Sequence, residues 1–291
     1  MVVVKLQGGL GNQMFQYAAA RSLSMRLNTE MYFDLSWFSN IPSSNTKRWY
    51  ELDCFDIDIK SIDITKYKVI SNGLGRSAKI KQYLKAANRK VLWSFESPDQ
   101  KYHDQFSSLN GNIYLDGWFT SEKYFKSIRD QLLKDFKYKK KISPENKKII
   151  DKILTANSVS LHVRRGDYVS NNGASKWHGT SNIEYYKDAI GLAESKIVNP
   201  VFYIFSDDIS WCKKNIKIQT EHHYIEGNKK GADDMRLMMQ CKNNIIANST
   251  FSWWGAWLNN DVNKLVIAPK KWLEDSSVDT SDIIPEGWIR I

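Results

Sequence analysis

The apolar positions of the chain fall into short runs separated by amphipathic stretches. VVVKL, residues 2–6, is the first run and leads into GGLGNQMFQYA, residues 8–18. Phe15, Ala18, Ala19 and Leu23 then share one helical face, which predicts a helix to about Asn28. MYFDL, 31–35, reads as the next strand, whereas residues 36–110 mix short polar and apolar segments without a period. NIYLDGW, 112–118, is a further strand, and 121–136 reads as one helix with Ser121 as its N-cap. Ser143-Pro144 opens a helix over 145–154, because proline disfavours helix at the residue before it and is tolerated in a first turn. SVSLHV, 158–163, alternates Val159, Leu161 and Val163 with Ser160 and His162. VFYIF, 201–205, is nearly continuous apolar sequence, as in a strand buried on both faces. Strands at 221–225, 243–247 and 264–268 and a helix at 233–241 complete the pattern. Strands alternating with helices predict an α/β fold with a parallel sheet covered on both sides. The lysine-rich stretch before Ser143 marks a boundary, giving domains over 1–145 and 146–291 with a cleft expected between them.

Length and charge refine this picture. The 291 residues suffice for two domains of ordinary size. Forty-two Lys and Arg against 32 Asp and Glu give a net charge of +10, which suits an anionic ligand or surface. The densest basic run, KDFKYKKKISPENKK at 134–148, reads as a solvated helix end and linker. The functional alternative is a peripheral contact with anionic membrane through Lys137, Lys139, Lys140 and Lys141. No aromatic-spaced signature of a nucleic-acid binder accompanies the run. Cysteines 54, 212 and 241 have neither disulfide nor zinc spacing, which suits a reducing compartment. With no leader and no apolar stretch near the roughly 18 residues of a membrane span, a cytoplasmic protein is expected. Without a leader the sequon Asn248-Ser249-Thr250 carries little weight.

The candidate chemistry gathers at strand ends. Gly9-Leu10-Gly11 after a strand suggests a dinucleotide loop, and Asp34 falls where a ribose-binding acid would sit. Met14 stands where the third glycine belongs, and no Gly-Lys-Ser/Thr makes the loop a Walker motif. LHVRRGDY, 161–168, presents Arg164 and Arg165 directly after a strand, where open α/β sheets bind ligands. One arginine can grip a pyrophosphate with its planar fork while the other pairs with an acid such as Asp167. The plainer alternative is a structural Arg–Asp pair. FSDD, 205–208, ends another strand: a carboxylate there can accept from a guanine edge, or Ser206 or Asp207 can cap a helix. NSTFSWWGAWL, 248–258, ends a third strand and starts a helix whose free N–H groups suit phosphate. Phe251 can flank a base or ribose, while Trp253, Trp254 and Trp257 are expected to pack.

In this order and at these separations, GGLGNQMFQYA, HVRRGDY, FSDD and NSTFSWWGAWL resemble the bacterial α-1,2-fucosyltransferases of glycosyltransferase family 11. The resemblance spans residue 8 to about 270 and leaves 36–110, where acceptor choice should lie, without a motif. It implies a GT-B-like fold of two Rossmann-like domains and inverting transfer of L-fucose from GDP-β-L-fucose to the 2-hydroxyl of a terminal β-galactoside, as in O-antigen. By resemblance, Arg164 holds the β-phosphate, with Arg165 beside it and His162 and Asp207 near the nucleoside. Asn248, Ser249, Thr250 and Phe251 lie by the pyrophosphate and base. The loop with Gly11, Asn12 and Gln13 meets the diphosphate and sugar, with Asn12 the foremost contact. Neither metal nor cofactor is expected, since arginines can stabilise the leaving diphosphate; Asp56-Ile57-Asp58 matches a D-x-D pattern without other site signals. A general base is not identified, and Asp167 and Asp116 are the weak candidates. Two rivals remain: an NAD(P)-dependent oxidoreductase built on Gly9, Gly11 and Asp34, and a noncatalytic glycan- or nucleic-acid-binding protein.

Overall fold

A computed structural model describes residues 1–41, 46–71, 90–165 and 182–291. Among them the chain forms two units, the first from 1–41, 47–137 and 279–283, the second chiefly from 138–278 and 284–291. The main change of unit falls at Lys137–Tyr138, and the chain returns to the first unit near its end over 279–283.

The first unit is a parallel sheet in the order β2-β1-β5-β4-β3, with β1 Val2–Lys5, β2 Met31–Asp34, β3 Lys68–Ser71, β4 Val91–Ser97 and β5 Ile113–Gly117. Helix α1, Leu10–Arg26, follows β1 and fully buries the expected face of Phe15, Ala18, Ala19 and Leu23. Met14, in the third-glycine position, is fully buried too. Gly8 has φ +77°, and a Cβ there would lie 2.6 Å from Asn12 Nδ2, so the turn into the helix requires glycine. β3 and β4 supply the strands that residues 36–110 did not reveal. The single helix expected over 121–136 is broken into short 3₁₀ turns at Glu122–Tyr124 and Lys126–Ile128, then α2, Arg129–Asp135. Ser121 does cap, accepting from the Lys123 N–H, but Phe125 leaves helical geometry at φ −148° and buries its ring 5.8 Å from that of Phe15.

The second unit is a six-stranded parallel sheet: β6 Asn157–Val163, β7 Pro200–Ser206, β8 His222–Tyr224, β9 Asn243–Ile245, β10 Val266–Ala268 and β11 Ile289–Arg290. Its order, β8-β7-β6-β9-β10-β11, is 3-2-1-4-5-6 in order of appearance, the doubly wound arrangement. Val159, Leu161, Phe202 and Ile204 pack to one side with α4, Ile183–Lys196, and α5, Ile209–Asn215. Tyr203 and Phe205 pack to the other with α3, Pro144–Thr155, and α6, Gly231–Met238. Ser143 caps α3 by accepting from the Asn146 N–H, as its place before proline suggests. β6 is buried on both faces, so its polar alternates need partners. Ser158 Oγ accepts from the Lys242 N–H, and Ser160 Oγ accepts from Asn244 Nδ2 at 2.7 Å.

Candidate donor-binding site

In the second sheet the strand order reverses between β6 and β9, so their following loops leave in opposite directions and open a crevice at the carboxyl edge. Arg164 and Arg165 follow β6, Asp207 and Asp208 follow β7, and Ser249 to Phe251 follow β9. Three of the segments singled out in the sequence therefore meet on three adjacent strands, with β6 in the middle.

Asp207 organises the arginines. Its Oδ2 accepts from Arg164 Nη1 at 2.8 Å, and its Oδ1 accepts from the Arg165 backbone N–H at 2.9 Å. Helix capping falls instead to Asp208, whose Oδ1 accepts from the Trp211 N–H, while Ser206 Oγ accepts from the Asp208 N–H. This corrects the alternative in which Ser206 or Asp207 caps. The Arg165 guanidinium lies 3.9 Å from the centre of the Trp211 ring, with Nε 3.5 Å from Asp208 Oδ2. Arg165 is thus held by stacking and charge on α5, and Arg164 is aimed by Asp207. Asp167 lies outside the described residues.

His162, 5% exposed, sits with its ring centre 5.5 Å from that of Phe251. Its Nδ1 is buried with no hydrogen-bond partner among the described residues. Burial, reinforced by the positive charge of Arg164 and opposed by Asp207, pushes its pKa down to about 4, so the ring is neutral near pH 7. Phe251 closes against Gly231, where a Cβ would come 3.3 Å from the ring.

Helix α7, Thr250–Leu258, begins at this edge. Ser249 holds the N-cap position without a side-chain hydrogen bond to the helix, and the first turn carries no acid. Such a start offers backbone N–H groups to an anion. Asn248 is buried, and its Nδ2 donates to the Trp272 carbonyl at 3.2 Å, so it supports the loop. Trp253, Trp254 and Trp257 are buried as packing residues.

The remaining candidates belong to the first unit. Gln13 is fully buried; its Nε2 donates to the carbonyls of Gly8 and Trp49, and its Oε1 accepts from the Glu51 N–H. Gly11 is buried, and Asn12 is half-buried beside Gly8. Asp116 is ion-paired with Lys5 at 3.0 Å. The dinucleotide reading fails here on two counts. At the start of α1 the Leu10 N–H donates to Glu51 Oε2, so a carboxylate occupies the place a pyrophosphate would need. Asp34 is 2% exposed and accepts from Tyr114 Oη at 2.7 Å and from the Ser36 N–H, which leaves it buried in the sheet. Sequence reasoning missed Trp211 and Asp208, although Asp-x-x-Trp at a strand-to-helix junction is a legible cap spacing.

Two parallel α/β sheets, the second doubly wound with basic and helix-start chemistry at its switch point, fit the GT-B-like glycosyltransferase class. The family model for glycosyl transferase family 11 matches residues 1–291, and the chain belongs to that family. It is 37% identical to an alpha-1,2-colitosyltransferase of Escherichia coli over 100% of this chain and 99% of the relative. It is 33% identical to the O-antigen biosynthesis glycosyltransferase WbnK of Escherichia coli, over 98% and 99%. A mouse galactoside 2-alpha-L-fucosyltransferase, Sec1, is 24% identical over 89% of this chain and 64% of that protein. Among solved structures, POFUT1 in complex with GDP-fucose superposes with a TM-score of 0.51 at 12% identity, covering 90% of this chain and 95% of that one, a likeness of fold.

Proposed function

We propose that this glycosyltransferase moves L-fucose, with inversion, from GDP-β-L-fucose to the 2-hydroxyl of a terminal β-galactoside in surface polysaccharide such as O-antigen. The observation that carries the reading is the Asp207-anchored Arg164 at the switch point that also holds the uncapped start of α7. The names of the relatives support the α-1,2 linkage, the galactoside acceptor and the O-antigen setting.

In such a displacement, negative charge grows on the departing diphosphate. Arg164 carries a permanent positive charge already fixed by Asp207, and α7 adds backbone N–H groups, so both donors are oriented before reaction. Neutral His162 adds no charge; with Phe251 it forms an aromatic wall suited to the nucleoside. Within the first unit, Gln13 is committed to main-chain contacts. We propose that transfer proceeds without a metal, Arg164 and the start of α7 supplying the charge stabilisation.

A second reading, colitosyl transfer, is favoured by the 37% identical relative of that name. The deciding experiment offers the purified enzyme GDP-fucose or GDP-colitose with a panel of galactose-terminated oligosaccharides and reads the linkage by NMR. An α-1,2-fucosylated galactoside supports the first reading; transfer from GDP-colitose alone moves the assignment to the second. Binding of NAD without GDP overturns both.

No helix among the described residues is long and apolar enough to cross a membrane. We place the enzyme in the cytoplasm, touching the inner membrane face through the exposed Lys137, Lys139, Lys140 and Lys141. Salt-sensitive cosedimentation with phosphatidylglycerol vesicles, absent with neutral lipid, checks that contact.

A further inference from the structure

The first unit carries an aromatic surface that the donor site does not use. Trp49 is 63% exposed and follows Lys47, whose Nζ lies 4.5 Å from the ring centre. A lone exposed apolar side chain needs no explanation; Trp49 is set apart by how its main chain is held. Its carbonyl accepts from Gln13 Nε2 at 2.8 Å, and the N–H of Glu51, two residues on, donates to Gln13 Oε1 at 2.9 Å. Glu51 Oε2 in turn accepts from the Leu10 N–H at the start of α1. A fully buried glutamine and a helix start are therefore spent on fixing a segment that turns a tryptophan outward. The fixing point follows β1, at the carboxyl edge of the first sheet. Trp37, Phe38 and Tyr50 of the same unit are partly buried, with Trp37–Phe38 at 5.3 Å and Phe38–Tyr50 at 6.4 Å between ring centres.

We propose that Trp49 is the stacking platform for a sugar ring of the acceptor glycan, an inference that rests on the glycosyl-transfer reading above. The apolar C–H face of a galactopyranose carries the partial positive charge that the face of an indole attracts. The Lys47 ammonium lies over the Trp49 ring, and at 63% exposure the side chain still offers area for a sugar. The pinned main chain means that little ordering entropy is lost on binding.

The test compares wild type, Trp49→Ala and Trp49→Phe, each with GDP, on an array of galactose-terminated and other oligosaccharides. It adds acceptor KM, GDP affinity by calorimetry and melting temperature. Loss of one stacking face should raise acceptor KM about tenfold or more in Trp49→Ala, with phenylalanine restoring most of it. GDP affinity and melting temperature should stay at wild-type values. Wild-type glycan binding and acceptor KM in a folded Trp49→Ala enzyme would overturn the platform, as would a wild type that binds no glycan. If the wild type binds only glycans lacking galactose and Trp49→Ala loses them, the platform stands and the β-galactoside reading falls.

Discussion

Replacing Arg164 by lysine separates a catalytic role from a structural one. Lysine keeps the charge but loses the planar fork, so it cannot hold Asp207 and present a second, fixed pair of donors at once. The Arg164–Asp207 pair is 2.8 Å long with side chains 24% and 25% exposed. A pair that accessible is worth about 1 kcal/mol or less to folding, so the melting temperature should fall by no more than about 2–4 °C. A donor preorganised for the leaving diphosphate is worth far more, about 10²–10³ in kcat, or roughly 3–4 kcal/mol. GDP release with a saturating galactoside acceptor measures kcat, and calorimetry measures GDP affinity, which should also weaken because the ground-state diphosphate is already charged. A folded Arg164→Lys enzyme with near-normal kcat would refute the argument. So would an activity loss that merely follows the fraction unfolded.

Transfer should continue in EDTA; loss in chelator with recovery on adding manganese would remove the metal-free reading. The stability–pH profile should show two opposed contributions. His162 falls from an ordinary 6.5 to about 4, so its contribution is complete above about pH 6.5 and is lost as pH drops toward 4; His162→Asn should flatten that limb in thermal melts. Asp234 rises from 3.8 to about 6 through burial, so its contribution is present below about pH 4 and is lost as pH rises through 6. Asp234→Asn should therefore melt higher than wild type near pH 7, by up to about 3 kcal/mol, and equally near pH 3.5. Gly117→Ala should destabilise by at least about 2 kcal/mol in urea titration, because its Cβ would lie 2.4 Å from the Ser97 carbonyl oxygen, main chain that cannot step aside.

The second sheet was legible because β7 reads as an apolar run and β6 as an alternating one, and because its site residues follow strands directly. Asp34 shows where local reading stops. Its position at a strand end suits a ribose, but its partner, Tyr114, is 80 residues away and only the sheet order brings them together. β3 was hidden for a different reason: among the described residues it pairs only with β4, at the sheet edge, and Val69 is 39% exposed, so no hydrophobic period marks it. The break in 121–136 follows from the demand of Phe125 for the core, a tertiary contact that overrides a sequence compatible with continuous helix. Arg164 and Arg165 were recognised as a pair with different tasks; which acid served them required the register of β6 beside β7.

The late return of residues 279–283 to the first unit bears on how the chain is made and recombined. Asp282 accepts from the Tyr102 N–H and from Lys123 Nζ, Asp279 pairs with Lys101, and Ile283 is fully buried. A chain emerging from the ribosome in order cannot complete these contacts until nearly all of the second unit has been synthesised. The first unit must wait, with those lysines and that apolar seat unfilled, while its neighbour folds. A hybrid enzyme spliced at residue 137 would inherit a foreign version of the same five residues, so exchanging first units between relatives calls for two grafts rather than one.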